Sequence, residues 1–480
     1  MRKQPAPHQC SIVPPYLLEA LAASDDPAVA AWARATLVAD DDLRRSRRTA
    51  ELRPPSAASS PTPAPRMERG TAEAPQRAVH DARGETTLPG DLVRAEGSPA
   101  TDDREVTEAY DGLGATWDLW QEVYGRNSLD GKGLPLVATV HYGQQYDNAF
   151  WDGTQMVFGD GDGVIFAPFT RSLDVIGHEL AHGVTQYTSG LNYQDQSGAL
   201  NESVSDVFGV LVKQRRLGQS ADEADWLVGA ELLADDVKGV ALRSMAAPGT
   251  AYDDPRLGTD PQPAHLRDYV ETTDDNGGVH INSGIPNKAF HTLATTLGGN
   301  AWEVAGQVWV DTITGDISAD CDFATFAALT VAAAAARHGD GSEVTAAVRA
   351  AWESVGVTPG STAPRSPGGS DGGNAEAPST PAPSTAVSVR RTGGFAGRTI
   401  ERTVTLEELP NGDTRAWQSL LADDRLTAIA REAAATRRMP DAFCYGVRCE
   451  TPPLDVELPE PQLSDDVRGL FERTLSPGEG

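Results

Sequence analysis

The stretch Leu173–Asp206, LDVIGHELAHGVTQYTSGLNYQDQSGALNESVSD, holds the residues on which the reading of the whole chain turns. His178, Glu179 and His182 form HELAH, and a helix puts residues four apart on one face, so the two imidazoles can converge on one metal ion. Glu202, twenty residues beyond His182 in NESVSD, supplies a third ligand. Two neutral imidazoles and one carboxylate leave tetrahedral Zn²⁺ with an open fourth position, able to hold a reactive water. Glu179 flanks that position. Asp206, four residues after Glu202 on a second predicted helix, can accept the other ring N–H of a ligating histidine and fix its tautomer. A bare HExxH also arises by chance, as a surface or core histidine pair, so the motif needs agreement from elsewhere in the chain.

That agreement comes from DNGGVHINSG over Asp275–Gly284. HELAH, NESVSD and DNGGVHINSG together resemble the thermolysin family of zinc endopeptidases, from about Leu88 to Val357. The resemblance implies an α+β, two-lobed metalloprotease fold with a β-rich N-terminal lobe, a central zinc-binding helix and a helical C-terminal lobe. It implies one catalytic Zn²⁺ on His178, His182 and Glu202, with Asp206 behind the ligands and Glu179 as general base. Tyr193 and His280 match the family's oxyanion site, Asp275 the carboxylate that orients the histidine, and Arg243 the arginine that binds a substrate carbonyl. Asn148 and Ala149 match the edge strand beside the cleft, to which an extended substrate can add. Phe166, Phe169, Val175, Val228, Leu232 and Leu242 match a hydrophobic S1′ pocket that selects a bulky apolar residue after the scissile bond. Taken singly, each of these residues has an ordinary structural reading; it is their coincidence with the metal pattern that carries the assignment. Calcium-rich members carry a glutamate where this chain has Lys213, in a paired site that also uses an aspartate matching Asp174, and a further carboxylate aligns with Ala230. Calcium is therefore left open and the paired site is expected to be missing, with Lys213 pairing with Asp174.

Composition bounds the alternatives. Of a net charge of −29, residues 1–53 contribute eight Lys/Arg against seven Asp/Glu and residues 386–480 twelve against sixteen, which leaves −26 between 54 and 385. Such an acidic body repels phosphates, which argues against nucleic acid or an anionic membrane as partner. Cys10, Cys321, Cys444 and Cys449 are too few and too scattered for a disulfide framework. Cys10 reads as a small apolar residue, with capping of the zinc as the minor alternative. No apolar run is long enough to span a membrane, and SIVPPYLLEALAA, broken by Pro14 and Pro15, does not read as a secretory signal. The expectation is either a non-classical export route or a cytoplasmic protein.

Residues 1–53 form a leader with two helical patterns, one opening after Pro14-Pro15 and one running from Pro27 towards Arg48. Pro14-Pro15-Tyr16-Leu17-Leu18 resembles the PPxxL element in the short propeptide of the protealysin branch of the family. Residues 54–87 are taken as a proline-rich linker and processing region, 88–170 as the β-rich lobe, 171–357 as the metal-binding helices and helical lobe, and 358–385 as a second linker. Residues 386–480 read as a small α+β domain; Arg390–Gly397 in particular resembles emfourin, an inhibitor associated with protealysin-type enzymes. The expected partners are protein or peptide substrates, with an intramolecular contact of the C-terminal domain with the cleft. A precursor that processes itself is expected, and the alternative is a protease-binding protein on a metalloprotease scaffold.

Overall fold

The computed structural model describes residues 10–51, 74–360, 385–392, 400–409, 411–422, 426, 444–449, 454–459, 463 and 465–475. Two compact units divide the chain at Pro364/Arg365. In the first, the leader supplies strand β1 (Cys10–Ser11), helix α1 (Pro15–Ala22) and helix α2 (Pro27–Glu51). Pro15 opens α1 at a position where no N–H is needed, and Leu17, Leu18 and Leu21 then fall on one buried face. Asp26 caps α2 by accepting from the Ala28 N–H at 2.8 Å. Each large aliphatic side chain buried this way contributes about 1.5–3 kcal/mol, so the leader is held as part of the fold. The side chain of Cys10 lies outside the described residues.

The sheet of the first unit runs in the order β1–β5–β6–β4–β2–β3. Its other strands are β2 (Arg77–Asp81), β3 (Asp91–Ala95), β4 (Leu136–Val140), β5 (Ala149–Trp151) and β6 (Met156–Phe158), with α3 (Arg104–Asp118) packed against β2 and β4. Because β2 begins at Arg77 and pairs in parallel with β4, the β-rich lobe starts some ten residues before the expected Leu88, and the linker read over 54–87 is correspondingly shorter. The sequence run there is short and polar, and it becomes a strand only because its partners supply the ladder. Strand β1 lies antiparallel on β5, with Ser11 opposite Phe150, so the leader completes the sheet at the edge bordering the cleft.

Helices α4 (Leu173–Tyr187) and α5 (Asp195–Leu217) cross at close range. A Cβ on Gly209 would stand 2.3 Å from the Asp174 carbonyl oxygen, so only glycine permits this approach. Helix α5 starts seven residues before Glu202, which places that carboxylate inside the helix rather than at its mouth. Short strands β7 (Leu227–Val228) and β8 (Arg243–Ser244) pair with each other, as do β9 (Asp253–Asp254) and β10 (Gly258–Thr259). Helices α6 (Asp275–Asn282), α7 (Gly284–Leu297), α8 (Ala305–Thr314), α9 (Phe323–His338) and α10 (Glu343–Ser354) form the helical lobe around Phe290, Trp309, Phe326 and Trp352.

The second unit has its own core. Strands β11 (Ala386–Thr392), β12 (Ile400–Thr405), β13 (Cys444–Cys449) and β14 (Leu454–Pro459) form an antiparallel sheet in the order β12–β11–β13–β14, accompanied by α11 (Asn411–Ala422) and a closing helix, Asp465–Leu475. Val387, Val389, Tyr445 and Val447 pack with Trp417 and Phe471, and the Trp417 indole N–H donates to Thr474 at 2.9 Å. Residues 393–399 of the glycine-rich turn and residues 361–384 of the second linker lie outside the described residues. Among the described residues, no helix is long and apolar enough to cross a membrane.

Candidate metal centre and cleft

On α4 the side chains of His178, Glu179 and His182 are all buried, and the crossing of α5 brings Glu202 against them. The two Nε2 atoms lie 3.1 Å apart, and each lies 3.5 Å from an oxygen of Glu202. A tetrahedral ion bound at about 2.0–2.1 Å sets its ligands about 3.3 Å from one another, so this triangle has the size of one face of a zinc coordination shell. His178 Nδ1–H donates to Asp206 at 2.8 Å and His182 Nδ1–H to Asn201 at 2.9 Å, which leaves both Nε2 lone pairs facing inward. Burial holds His182 well below its usual range, at about 3, in the neutral form that a ligand requires. Oε2 of Glu202 and Oε1 of Glu179 are buried without a hydrogen-bond partner among the described residues. Opposed lone pairs beside two unsatisfied carboxylate oxygens fit a cation and a water between them.

Burial, and after it the negative charge of Glu202, push Glu179 well above the usual carboxylate range. Its Oε2 accepts from the Trp151 backbone N–H at 2.9 Å, which fixes the carboxylate between α4 and β5. Tyr193, in the loop before α5, donates its hydroxyl proton to Glu202 and stands 3.2 Å from Nε2 of His280. His280 is aimed by an unusual first turn of α6: Asp275, Asn276, Gly277 and Gly278 all have left-handed φ, and the chain so folded returns the Asp275 carboxylate to the His280 backbone N–H at 2.9 Å and to Nδ1 at 2.6 Å. Two non-glycine residues held in that region indicate strain retained by the surrounding structure. Burial alone would lower the pKa of His280, but Asp275 and Glu202 outweigh it and raise it to about 9.

Arg243 on β8 is fully buried and pairs with both oxygens of Asp206, at 2.9 and 2.8 Å, the same carboxylate that holds His178. Burial would raise the pKa of Asp206, yet Arg243 and His178 hold it well below the carboxylate range. Phe166, Phe169, Val175, Val228, Leu232 and Leu242 all fall in one buried apolar cluster, where Leu242 N–H donates to the Val228 carbonyl and Ala167 N–H to that of Leu232. The contacts thus join His178, Glu179, His182, Tyr193, Glu202, Asp206, Arg243, Asp275 and His280 around the α4–α5 crossing, while the six apolar residues belong to the core of this unit.

The leader fills this cleft, and here the sequence reading fell short. Ser11 O lies 3.1 Å from His280 Nε2, Ile12 N–H donates to Ala149 O at 3.1 Å, and Arg243 donates to Ile12 O at 3.1 Å. The Asn148 side chain accepts from Val13 N–H at 3.0 Å and donates to Val13 O at 3.3 Å. From α2, Thr36 accepts from the Asp147 backbone N–H at 3.1 Å, while Asp40 accepts from Tyr146 and from Asn148. The proline pair announced the leader's helices, but nothing in SIV announced a strand. Asn201, Ser205 and Asn287 were also missed, although the first two sit inside NESVSD; Ser205 lies 3.0 Å from His182 Nδ1, and Asn287 donates to Asp206 at 2.8 Å.

Lys213 Nζ lies 2.9 Å from Asp174, 3.2 Å from Asp225 and 3.2 Å from the Leu227 carbonyl, so an ammonium sits among these carboxylates. Burial lowers the Lys213 pKa, but Asp174 and Glu231 more than restore it. A second group with metal-ligand spacing, Asp103, Glu105 and His141, is half-buried, but both His141 nitrogens are already engaged, Nδ1 by Asp160 at 2.9 Å and Nε2 by Asp103 at 3.1 Å. Asp160 first, with Asp103, raises His141 to about 9 against burial, so this site is an imidazolium clasp rather than a ligand set.

Comparison with known proteins agrees with this geometry. Residues 67–186 match the thermolysin metallopeptidase catalytic domain, 189–357 the thermolysin metallopeptidase alpha-helical domain, and 389–475 the emfourin family. The chain is 51% identical over 349 residues to an extracellular metalloprotease of Pectobacterium carotovorum subsp. carotovorum, covering 72% of this chain and 96% of that protein. It is 39% identical over 289 residues to thermolysin of Alicyclobacillus acidocaldarius subsp. acidocaldarius, covering 58% of this chain and 50% of that one. Among solved structures, the precursor of protealysin, a metalloproteinase from Serratia proteamaculans, superposes with a TM-score of 0.65 at 49% identity, covering 73% of this chain and all of that one.

Proposed function

The chain belongs to the thermolysin family of metalloendopeptidases, and from that premise we propose that it is a zinc endopeptidase made as a latent precursor, with His178, His182 and Glu202 as ligands and Glu179 as general base. The observation that carries this reading is the triangle of inward-facing ligand atoms, 3.1–3.5 Å on a side, beside the unpartnered Glu179 oxygen. Zinc held there would lower the pKa of a bound water and polarise a carbonyl. Glu179 would act as the base that takes a proton from water in the cleft and passes it to the departing nitrogen. His280, held as a donor by Asp275, and the Tyr193 hydroxyl face the oxygen on which negative charge develops. Arg243, Asn148 and Ala149 bind the substrate backbone as an added strand, and Asp206 links the orientation of a ligand to that of Arg243.

A bulky apolar residue is preferred at P1′, a reading supported by the buried apolar side chains of Phe166, Phe169, Val175, Val228, Leu232 and Leu242. The leader keeps the precursor latent because it occupies Asn148, Ala149, Arg243 and His280 together. The C-terminal unit restrains the protease, a reading supported by its match to emfourin. Lys213 takes the place of a paired calcium site. Glu179→Gln is expected to lower casein hydrolysis by 10²–10⁴-fold or more with zinc still bound, whereas His178→Ala loses the metal as well. Near-normal turnover by metal-loaded Glu179→Gln protein would refute the assignment.

A further inference from the structure

The leader lies in the cleft in a definite register. Of its carbonyl groups, that of Ser11 meets His280 Nε2 at 3.1 Å, and that of the next residue, Ile12, meets Arg243 at 3.1 Å. The amide between them donates to Ala149 O, and the following residue, Val13, is held at both N–H and C=O by Asn148. The Ile12 side chain is wholly buried in the apolar core of the first unit. An inhibitory segment needs only to cover a cleft, in either direction and in any register. This one runs antiparallel to β5 and presents one carbonyl to His280, the next to the substrate-binding arginine, and the apolar side chain between them to the buried core. Each feature is what the proposed reaction requires of P1, P1′ and P2′.

We infer that the Ser11–Ile12 peptide bond is itself a cleavage site of the enzyme, cut by the molecule that carries it. This inference rests on the endopeptidase reading given above. Water adds its oxygen to the Ser11 carbonyl carbon, the bond to the Ile12 nitrogen breaks, and the proton taken by Glu179 goes to that nitrogen, leaving a carboxylate on Ser11 and an amine on Ile12. The cut does not free the cleft. Only the contacts of Ser11 and the residues before it are lost with the departing peptide; Arg243, Asn148, the buried faces of α1 and α2, and the bonds from Thr36 and Asp40 still hold Ile12 onward as a bound product. Nicking at Ser11 and activation by cutting the tether after α2 are therefore separate events.

The test is intact-mass and N-terminal analysis of zinc-loaded full-length protein, incubated over a range of dilutions, with casein hydrolysis followed in the same samples. A peptide ending at Ser11 and a partner beginning at Ile12 are expected to appear with a first-order rate independent of protein concentration. They should precede the rise in casein hydrolysis and be absent from Glu179→Gln protein. The piece beginning at Ile12 should stay with the catalytic unit through gel filtration until the tether is cut. If casein is hydrolysed while every recovered leader keeps the Ser11–Ile12 bond, or if that bond is cut at a rate proportional to protein concentration, the inference is overturned and the endopeptidase reading stands. If neither casein nor leader is cut, the endopeptidase reading itself falls.

Discussion

Lys213 shows how one side chain changes the needs of a fold. Asp174 is fully buried at the root of the metal helix, and Asp225 and Glu231 stand close by, so three carboxylates require a positive charge that Lys213 supplies from within the chain. Lys213→Ala would leave a buried charge unpaired and is expected to lower stability by about 3 kcal/mol, read from the urea midpoint. Millimolar Ca²⁺ should return part of that loss, stabilising the variant more than the parent protein; an equal response in both would mean that the lysine does not stand in for a cation. His141 makes a second prediction at this scale. Its pKa is raised from 6.5 to about 9 in the folded state by Asp160 and Asp103, with Glu105 alongside, so its contribution is complete below pH 6.5 and is lost as pH rises through about 9. At this half-buried site the effect is on the order of 1–2 kcal/mol after solvent screening. His141→Asn should flatten the dependence of stability on pH between those limits, and an unchanged profile would show that the clasp does not contribute.

At the scale of elements, the leader and its tether decide when the cleft opens. The sequence places self-cleavage between about Arg53 and Thr87; β2 starts at Arg77 inside the sheet, and residues 52–73 lie outside the described residues. Glu179→Gln protein is therefore expected to keep its leader when expressed alone, whereas the active protein loses it. Processing of the inactive variant at the normal rate would point to another protease. The elements that could be read from sequence were those with strong local signals: α4 from HELAH, and α1 and α2 from the prolines that open their helical patterns. The metal ligands were legible because HELAH lies on one helix, whereas Tyr193, Arg243, Asn148 and Ala149 were named through the family resemblance alone. Strand β1 was not, since two residues have no period and form a strand only against β5. The early start of α5, before Glu202, was hidden because glycine and polar residues there give no helical stripe, and tertiary packing overrides their propensity.

For the whole molecule, the two units each hold a core of their own, so they can be tested apart. A chain ending at Pro359 is expected to hydrolyse casein faster than the processed full-length protein, and residues 386–480 added at micromolar concentration should slow it again; equal rates throughout would remove the inhibitory role of the second unit. The edge of the large sheet carries a broader implication. In the precursor β5 is covered by the leader's own backbone, and once that strand leaves, β5 offers free N–H and C=O groups to any polypeptide able to lie extended along it. A segment of a target that is already spent on its own helices or sheets has no such groups to offer. The recognition surface thus gauges conformation before it gauges sequence: a compact globular target presents only its loops and fraying ends, while the same polypeptide, once thermally unravelled, becomes digestible along its length.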